Sequence, residues 1–551
     1  MKKILSVCLV LLMTLSVFSI TVSAESVIPN EYYDVRVEDI YYAVDSTGAY
    51  IVGYELGEIT PQDGIVIPKT IKYQNEYYDV VGISEYAFYQ APYTSITLPS
   101  TLMSIDNYAF MGCNYLENVV IPNDCIFSYF GNSVFMGTPF EEKLYMNDYN
   151  VLGENLLYSY VGNDKTCIIP DNITLLATNC FFMSKIENVV INDKIRVIPT
   201  CAFASCRNLK TITIPDSVEY IMDGAFKDCM NLESVTLGEK VMSLGVDCFA
   251  NTKIRTIHLP QTVYNIAGAF KNCTLLESIT IDPANTILTT NGKAVFKKTQ
   301  FIVDGQSKNG YILLYYIPSK AQGKITLNSD IRGIGEYAFY GCSKIDEVEA
   351  YDLMFVDLYA FSYSGIKKFN ADSVSRIENG AFRNCKNLQE INFHNVDYIG
   401  VSAFENCTAL QSIILPENIE AIYENSFANT GITEITIYGD SCYIYESAFK
   451  NCGNLKKVNL ENGVAYVGMN AFFGCSQIET IYISKSVRLF DDNAFNGCEK
   501  AHFEVIDGSR GHDFVKSKGY DFEIVGSVSF FERIANFFAS LFEALFGWIL
   551  G

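Results

Sequence analysis

Short stretches in which apolar and polar side chains alternate recur along most of the chain. In residues 209–215, LKTITIP, threonines separate Leu209, Ile212 and Ile214, and a proline follows. Such alternation among β-branched residues predicts a short strand with one buried face. The next stretch, SVEYIMDGAF, turns three more apolar side chains inward and ends its pattern at Phe226. One unit of the chain is therefore a strand, a turn and a return path.

The phenylalanine that ends each unit recurs at a nearly constant spacing. Most of these residues lie 21 to 23 positions apart, and the two large gaps, from Phe135 to Phe181 and from Phe270 to Phe339, are 46 and 69 positions, about two and three units. A unit this short cannot cover its own apolar face, so neighbouring units must stack and share a core. The sequence predicts a solenoid. The recurring residues are Phe88, Phe110, Phe135, Phe181, Phe203, Phe226, Phe249, Phe270, Phe339, Phe361, Phe382, Phe404, Phe427, Phe449, Phe472 and Phe495.

A cysteine often stands three positions after the phenylalanine, and stacking predicts that these cysteines form one ladder with rungs about 4.8 Å apart. Other units carry a small residue there, which favours a buried structural thiol over a metal ligand or a disulfide framework. Isolated disulfides are the alternative, because the rung spacing lies within disulfide reach. Free thiols in a secreted protein would suggest a reducing habitat. The ladder comprises Cys113, Cys206, Cys229, Cys273, Cys342, Cys385, Cys407, Cys452, Cys475 and Cys498.

The unit A-F-x-x-C-x-x-L-x-x-I-x-I-P-x-x-V-x-x-I, seen in residues 202–221, resembles the BspA-like, or Treponema-type, bacterial leucine-rich repeat. The resemblance covers residues 83–498, and residues 50–71 and 503–525 are similar to the family's lead-in and closing segments. It implies a β-rich leucine-rich-repeat solenoid, an elongated or curved stack of short strands with end caps. It also implies a secreted or cell-surface bacterial protein with a role in adhesion. No binding residue carries over, because the shared motif is scaffold.

The chain divides into five predicted segments. The solenoid has two insertions, near residues 139–165 and 283–324, where aromatic runs and polar turns predict hairpins. These insertions are either functional loops or spacers that keep the repeat in phase. The segments are a signal peptide at 1–24, a β lead-in or cap at 25–82, the solenoid at 83–498, a C-terminal cap at 499–526 and an amphipathic helix at 527–551.

Residues 527–551 have apolar side chains at helical spacing with polar ones opposite. Glu543 in the middle of this segment, and the lack of a basic flank after it, argue against a membrane span. Three interpretations stay open: the helix lies in a membrane interface, mediates self-association, or docks onto the solenoid.

Composition narrows the function. The 551 residues are 49% hydrophobic and carry a formal charge of -23, so phosphate backbones are repelled and nucleic acid is excluded as a partner. The four histidines are scattered and no catalytic or metal-binding motif occurs. The sequence predicts a protein that is not an enzyme and needs no cofactor or metal.

The outward positions of the strands are the predicted binding site. The first half of this face is nearly uncharged, whereas the second half mixes signs, which predicts one long face with two sectors. The alternative is that serine and threonine simply suit an exposed sheet, in which case the protein is a structural or membrane-associated envelope spacer. The expected partner is an unidentified host or bacterial surface protein or glycan. The candidate residues are Thr211, Thr213, Ser234, Thr236, Thr256, His258, Glu347, Glu349, Lys368, Glu390, Glu434, Lys457 and Tyr482.

Overall fold

The structure is a computed structural model that describes residues 33–55, 61–144, 149–303, 305–417, 419–439 and 441–529. The predicted signal peptide 1–24 and nearly all of the predicted helix 527–551 lie outside these residues. The chain forms two compact units, residues 1–273 and 274–551, and each is a stack of short strands.

Unit 1, residues 1–273, is built of strands and turns in its described part, together with a short helix, α1. Its elements are β1 (Val35–Val37), β2 (Ile40–Val44), β3 (Ala49–Tyr54), β4 (Ile65–Val66), β5 (Thr70–Tyr73), β6 (Glu76–Ile83), β7 (Ser95–Thr97), β8 (Ser104–Ile105), β9 (Asn118–Val120), β10 (Tyr129–Phe130), α1 (Pro139–Leu144), β11 (Tyr149–Leu152), β12 (Leu156–Tyr160), β13 (Thr166–Ile168), β14 (Leu175–Leu176), β15 (Asn188–Val190), β16 (Val197–Ile198), β17 (Thr211–Thr213), β18 (Tyr220–Ile221), β19 (Ser234–Thr236), β20 (Ser243–Leu244) and β21 (Thr256–Leu259).

Unit 2, residues 274–551, repeats this plan around an 11-stranded sheet that runs from β23 to β40. Its elements are β22 (Ser278–Ile281), β23 (Leu288–Thr290), β24 (Ala294–Val303), β25 (Gln306–Tyr316), a 3-10 turn (Pro318–Lys320), β26 (Gly323–Leu327), β27 (Ile331–Ile334), β28 (Ile345–Ala350), β29 (Phe355–Val356), β30 (Lys368–Asn370), β31 (Arg376–Ile377), β32 (Glu390–Asn392), β33 (Tyr398–Ile399), β34 (Ala421–Ile422), β35 (Glu434–Ile437), β36 (Cys442–Ile444), β37 (Lys457–Leu460), β38 (Val464–Val467), β39 (Thr480–Ile483), β40 (Leu489–Phe490), β41 (His502–Asp507), α2 (Arg510–Lys518) and β42 (Asp521–Ser527).

Each coil follows the predicted pattern of buried and exposed positions. In β17, Ile212 is buried between the exposed Thr211 and Thr213. The strand pairs in parallel and in register with β19 of the next coil, and the second short strand, β18, pairs in the same way with β20. Because every coil hydrogen-bonds its neighbours, the apolar faces merge into one core within each unit. The predicted solenoid is confirmed.

The recurring phenylalanines form a stacked spine inside each unit. In unit 1 the rings of Phe181, Phe203, Phe226 and Phe249 lie nearly parallel, with centroids 4.7, 5.1 and 5.4 Å apart. In unit 2 the stack runs from Phe339 to Phe495. These rings are fully buried. Each fills the interior of its own coil and packs against the ring of the next.

The ladder cysteines are buried free thiols in the structure, which confirms the structural interpretation. Each sulfhydryl donates a hydrogen bond to the carbonyl of the spine residue one coil earlier, as Cys229 Sγ does to Phe203 O at 3.1 Å. Where a threonine replaces the cysteine, its hydroxyl bonds the spine carbonyl of its own coil, as Thr252 does to Phe249 at 2.9 Å. The rung therefore takes a small buried side chain, and its cysteines and threonines act as hydrogen-bond donors.

Tyrosines maintain the spine at the two insertions. Tyr160 lies 5.2 Å from Phe181 between ring centroids, and Tyr316 lies 5.1 Å from Phe339. The first insertion begins with α1, a helix that the sequence pattern does not predict, and continues as the antiparallel pair β11–β12. The second is the long antiparallel pair β24–β25.

Additional strands and a helix close the described ends of the stacks. In unit 1, β1, β2 and β3 form an antiparallel run that joins β6 in parallel. In unit 2, α2 connects β41 to β42, and β42 is the edge of a five-stranded sheet. Ser527 lies in β42, so the prediction that a helix starts at residue 527 is wrong at that residue. The strand continues because its backbone pairs with β41.

Candidate binding face

The predicted site residues of unit 1 lie on one exposed face. Thr211 pairs in register with Ser234, and Thr213 with Thr236, so their side chains form two short parallel rows. All four are exposed, while Ile212 and Val235 between them point inward. Thr256 and His258 continue the alternation in β21, where Ile257 and Leu259 are buried. The structure thus places all six of these predicted residues at outward positions.

Exposed aliphatic side chains extend this uncharged surface in unit 1. Val120 and Val190 are each 52% exposed and Ile168 is 68% exposed. Val190 pairs in register with Ile168, and Val120 with Thr97. Ile168 directly follows the first insertion, in a unit whose motif is broken, and its outward position becomes evident only from the register with β15. We call Val120, Ile168, Val190, Thr213 and Thr236 the uncharged row.

Four of the predicted site residues of unit 2 lie in ion pairs, namely Glu347, Glu349, Lys368 and Glu390. In the first outward row, Lys324, Glu347, Lys368 and Glu390 lie opposite each other on β26, β28, β30 and β32, so charges alternate. Lys324 Nζ lies 3.1 Å from both Glu347 and Glu349, and Lys368 Nζ lies 2.6 Å from Glu390. We call this alternating row, together with Glu349, the charged ladder.

Ion pairing shifts the pKa values of the ladder residues in the direction that favours their charged forms. The hydrogen bonds that Lys324 donates to Glu349 and Glu347 raise the pKa of Lys324, and the contact with Lys324 lowers the pKa of Glu349. Glu390 likewise raises the pKa of Lys368. These groups already pair with each other, and their role in binding stays a prediction. Lys324 was not among the predicted residues, although it precedes Glu347 by one repeat length.

The remaining predicted residues lie on a second strand row of unit 2. Glu434, Lys457 and Thr480 are in register on β35, β37 and β39, and Tyr482 is half-buried beside them. Burial raises the pKa of the Tyr482 hydroxyl. His502, which is not among the predicted residues, extends this row opposite Asp521, with Nδ1 2.7 Å from Oδ2. This contact raises the pKa of His502.

Neither a metal site nor a membrane-spanning helix is found among the described residues. No cluster of three or more histidine, cysteine or acidic side chains there has the arrangement of a metal site. None of the helices described combines the length and apolar character needed to cross a bilayer.

Parallel strands stacked in register around a phenylalanine spine define the class of leucine-rich-repeat solenoids. More particularly, a family model described as the BspA type leucine rich repeat region (6 copies) matches residues 81–210, 196–304, 315–400 and 387–502. These matches span more than half of the chain, and the protein belongs to this family.

Solved structures with similar chains include three bacterial proteins. A leucine rich cell surface protein from Faecalibacterium prausnitzii is 21% identical, with 87% of this chain and 95% of that chain covered and a TM-score of 0.30. The pneumococcal vaccine antigen PcpA is 16% identical, covering 89% and 98%, with a TM-score of 0.36. A leucine-rich repeat protein from Bacteroides ovatus is 21% identical, covering 86% and 100%, with a TM-score of 0.28. No curated protein matches the chain.

Proposed function

We propose that this protein is secreted or displayed at the bacterial surface and adheres to a protein partner through the uncharged row of unit 1. The observation that carries the proposal is the contrast between the two units. In the charged ladder of unit 2 the outward charges pair with one another, whereas in unit 1 the outward side chains of Val120, Ile168 and Val190 are exposed to solvent. Interface cores are depleted in charge, which the uncharged row matches.

The size of a stable interface is compatible with this surface. A standard interface needs only about 800 Å² from each partner, which several neighbouring strands supply. The charged ladder of unit 2 supports a second role, that of a rigid spacer, because its members stabilise the stack without presenting unpaired groups. Recognition in unit 1 and spacing in unit 2 are complementary roles within one surface protein.

The test introduces charge into the uncharged row. Val120→Glu, Val190→Glu and Thr213→Glu are combined in one variant, and the matched control carries glutamate at Met103, Met222 and Met230, which are 50%, 42% and 45% exposed outside the strand face. Beads coated with each protein are counted on epithelial cells. We expect the first variant to lose adhesion and the control to retain it, because a buried unpaired carboxylate is costly.

Two further experiments test the chemical class of the partner and the location of the protein. Mild proteolysis of the cell surface should abolish adhesion of the unmodified protein, whereas glycosidase treatment should not. Antibody staining of intact bacteria should reveal the protein at the surface or in the medium. Equal adhesion of both triple variants would overturn the assignment to the uncharged row, and a protein confined to the cytoplasm would overturn the proposal as a whole.

A further inference from the structure

A cluster of positive charge interrupts this acidic chain at the second insertion. Residues 291–324 contain six lysines and a single aspartate, although the whole chain has a formal charge of -23. The segment comprises β24, β25 and the turns on either side of them. A local field of opposite sign to the rest of the molecule concentrates small anions. The lysines are Lys293, Lys297, Lys298, Lys308, Lys320 and Lys324.

An open groove of about 470 Å³ lies at the base of the β24–β25 hairpin. Lys293, Lys320 and Lys324 line it together with the rings of Phe296 and Tyr311. The two rings meet edge to face, with centroids 6.4 Å apart. This volume lies within the range of about 300–1,000 Å³ that small-ligand sites occupy. The groove therefore combines cationic ends with an aromatic surface.

The three lysines differ in how far they are already neutralised. Lys324 Nζ lies 3.1 Å from both Glu347 and Glu349 of the charged ladder. Lys293 and Lys320 are exposed and form no ion pair with any described residue. The net positive charge of the groove thus resides on Lys293 and Lys320, while Lys324 connects it to the ladder.

Amide side chains in the same groove have free hydrogen-bonding groups. Asn291 Oδ1 accepts hydrogen bonds from the backbone N–H groups of Lys293 and Ala294 at 3.0 and 2.9 Å, which fixes the side chain. Its Nδ2 group makes no hydrogen bond with a described residue. Gln322 donates Nε2 to Ser319 O at 2.9 Å, so its Oε1 is available as an acceptor. A fixed donor and a fixed acceptor suit a ligand rich in hydroxyl groups.

We propose that this groove binds a short acidic saccharide. Lys293 and Lys320 pair with its anionic groups, and Asn291 and Gln322 hydrogen-bond its hydroxyls. The apolar face of one sugar ring packs on Tyr311. The site lies outside the uncharged row, so it goes beyond the proposed adhesion to a protein and does not depend on it.

The groove favours a short saccharide over other anions. A long polyanion such as nucleic acid would extend past the lysine cluster and meet the acidic remainder of the chain, which repels it. An acidic peptide supplies carboxylates, but it lacks the dense hydroxyls that the amides and the lining threonines, Thr289, Thr290 and Thr326, can bond. Complementarity in both charge and hydroxyl content selects the saccharide.

The experiment is calorimetric titration of the full-length protein with tri-galacturonic acid at low salt. Lys293→Gln combined with Lys320→Gln should weaken binding about tenfold or more, because hydrogen bonds between charged groups are stronger than those between neutral groups. The matched control is Lys386→Gln with Lys500→Gln, two exposed lysines of unit 2 outside the groove. The control should bind within about twofold of the unmodified protein, since exposed charges at a distance are screened.

Three comparison ligands decide the chemistry. The fully methyl-esterified trisaccharide should bind at least tenfold more weakly, and inorganic sulfate and tri-glutamate should do the same. Equal binding of sulfate would reduce the site to a simple anion site, and equal binding of tri-glutamate would make it a peptide site; either result overturns the proposal. So would a Lys293/Lys320 variant that binds like its control, or no measurable binding by the unmodified protein.

Discussion

The cysteine rung shows how one residue position combines volume with a hydrogen bond. The thiols of Cys206, Cys385 and Cys407 are fully buried and donate to spine carbonyls at 3.0–3.1 Å. Burial raises the pKa of Cys385 to about 12 because a thiolate would lose its hydration. The reactive species is the thiolate, so these thiols are both inaccessible and held in their unreactive form.

One cysteine should behave differently. Cys201 is the only described cysteine that is not buried, so we expect a thiol reagent at pH 8 to label it in the native protein, although more slowly than a free thiol because partial burial raises its pKa. The other described cysteines should react only in urea. Counting labelled thiols by mass spectrometry checks this, with Cys201→Ser as the control that abolishes native labelling of the described cysteines. Rapid native labelling along the rung, or thiols missing in urea because they are paired, would contradict the structural role.

Backbone conformation explains which residue types stand directly before the rung cysteines. Asp228, Asn384 and Asn451 stand two places after the spine phenylalanine, with φ of 59°, 60° and 58°. The left-handed region favours asparagine, aspartate and glycine, and glycine stands there at Gly341 and Gly474. The recurrence of small polar residues at this point of the motif therefore follows from the backbone turn and not from ligand binding.

At the scale of elements, α2 shows most clearly how neighbouring residues in the sequence fix where a helix begins and ends. Ser509 is 1% exposed, and its Oγ accepts a hydrogen bond from the backbone N–H of His512 at 3.2 Å. Gly519 ends the helix with φ of 70°. A serine at the start and a left-handed glycine after the end satisfy groups that the helix itself leaves unpaired.

Removing this cap should loosen the end of unit 2. Ser509→Ala is expected to cost about 1 kcal/mol in the free energy of unfolding, since a helix N-cap side chain is lost. Hydrogen exchange should rise in α2 and β42 first. The control is Ser517→Ala in the same helix, whose exposed hydroxyl only bonds Phe514 O. If both variants exchange alike, the cap does not hold this end.

At the scale of the whole molecule, the sequence pattern predicts what repeats and misses what depends on register. Alternation and a constant spacing were enough to predict the strands, the spine and the rung. They could not reveal that Tyr160 and Tyr316 replace phenylalanine at the insertions, because those units lack the motif. Nor could they show that Glu347 and Glu349 share Lys324, since that depends on side chains of neighbouring coils.

The α1 helix illustrates the same limit. Pro139 starts six helical residues inside an insertion, and such a short element lacks the apolar periodicity that marks longer helices. The uncharged row was largely predictable because exposed positions alternate with buried ones. Ile168, one of its three apolar members, was not predictable, because the unit that contains it lacks the regular motif. Predictability therefore follows the repeat and fails where single coils depart from it.

Damage to the spine should stay within one unit. Phe226→Ala in unit 1 and Phe404→Ala in unit 2 each remove a fully buried ring, which costs about 3–5 kcal/mol. Because stability in a stack is nearly a sum of coils and their interfaces, hydrogen exchange should increase in the adjacent coils of the same unit. Tyr363→Ala, at a side chain 56% exposed, is the control. Loss of protection spread evenly over both units would contradict this.

During folding of the thiol ladder, closure of the coils competes with oxidation of their cysteines. The chain carries 17 cysteines, and the sulfhydryls of successive rungs lie close enough for disulfide pairing while a coil is still open. Closure of a coil buries its thiol and so protects it from an oxidant. A coil closes by pairing with the neighbouring coil alone. A protein delivered in order from its amino terminus can thus seal its thiols one turn at a time. Slow or interrupted folding would instead leave several thiols exposed together, where an oxidant would pair them.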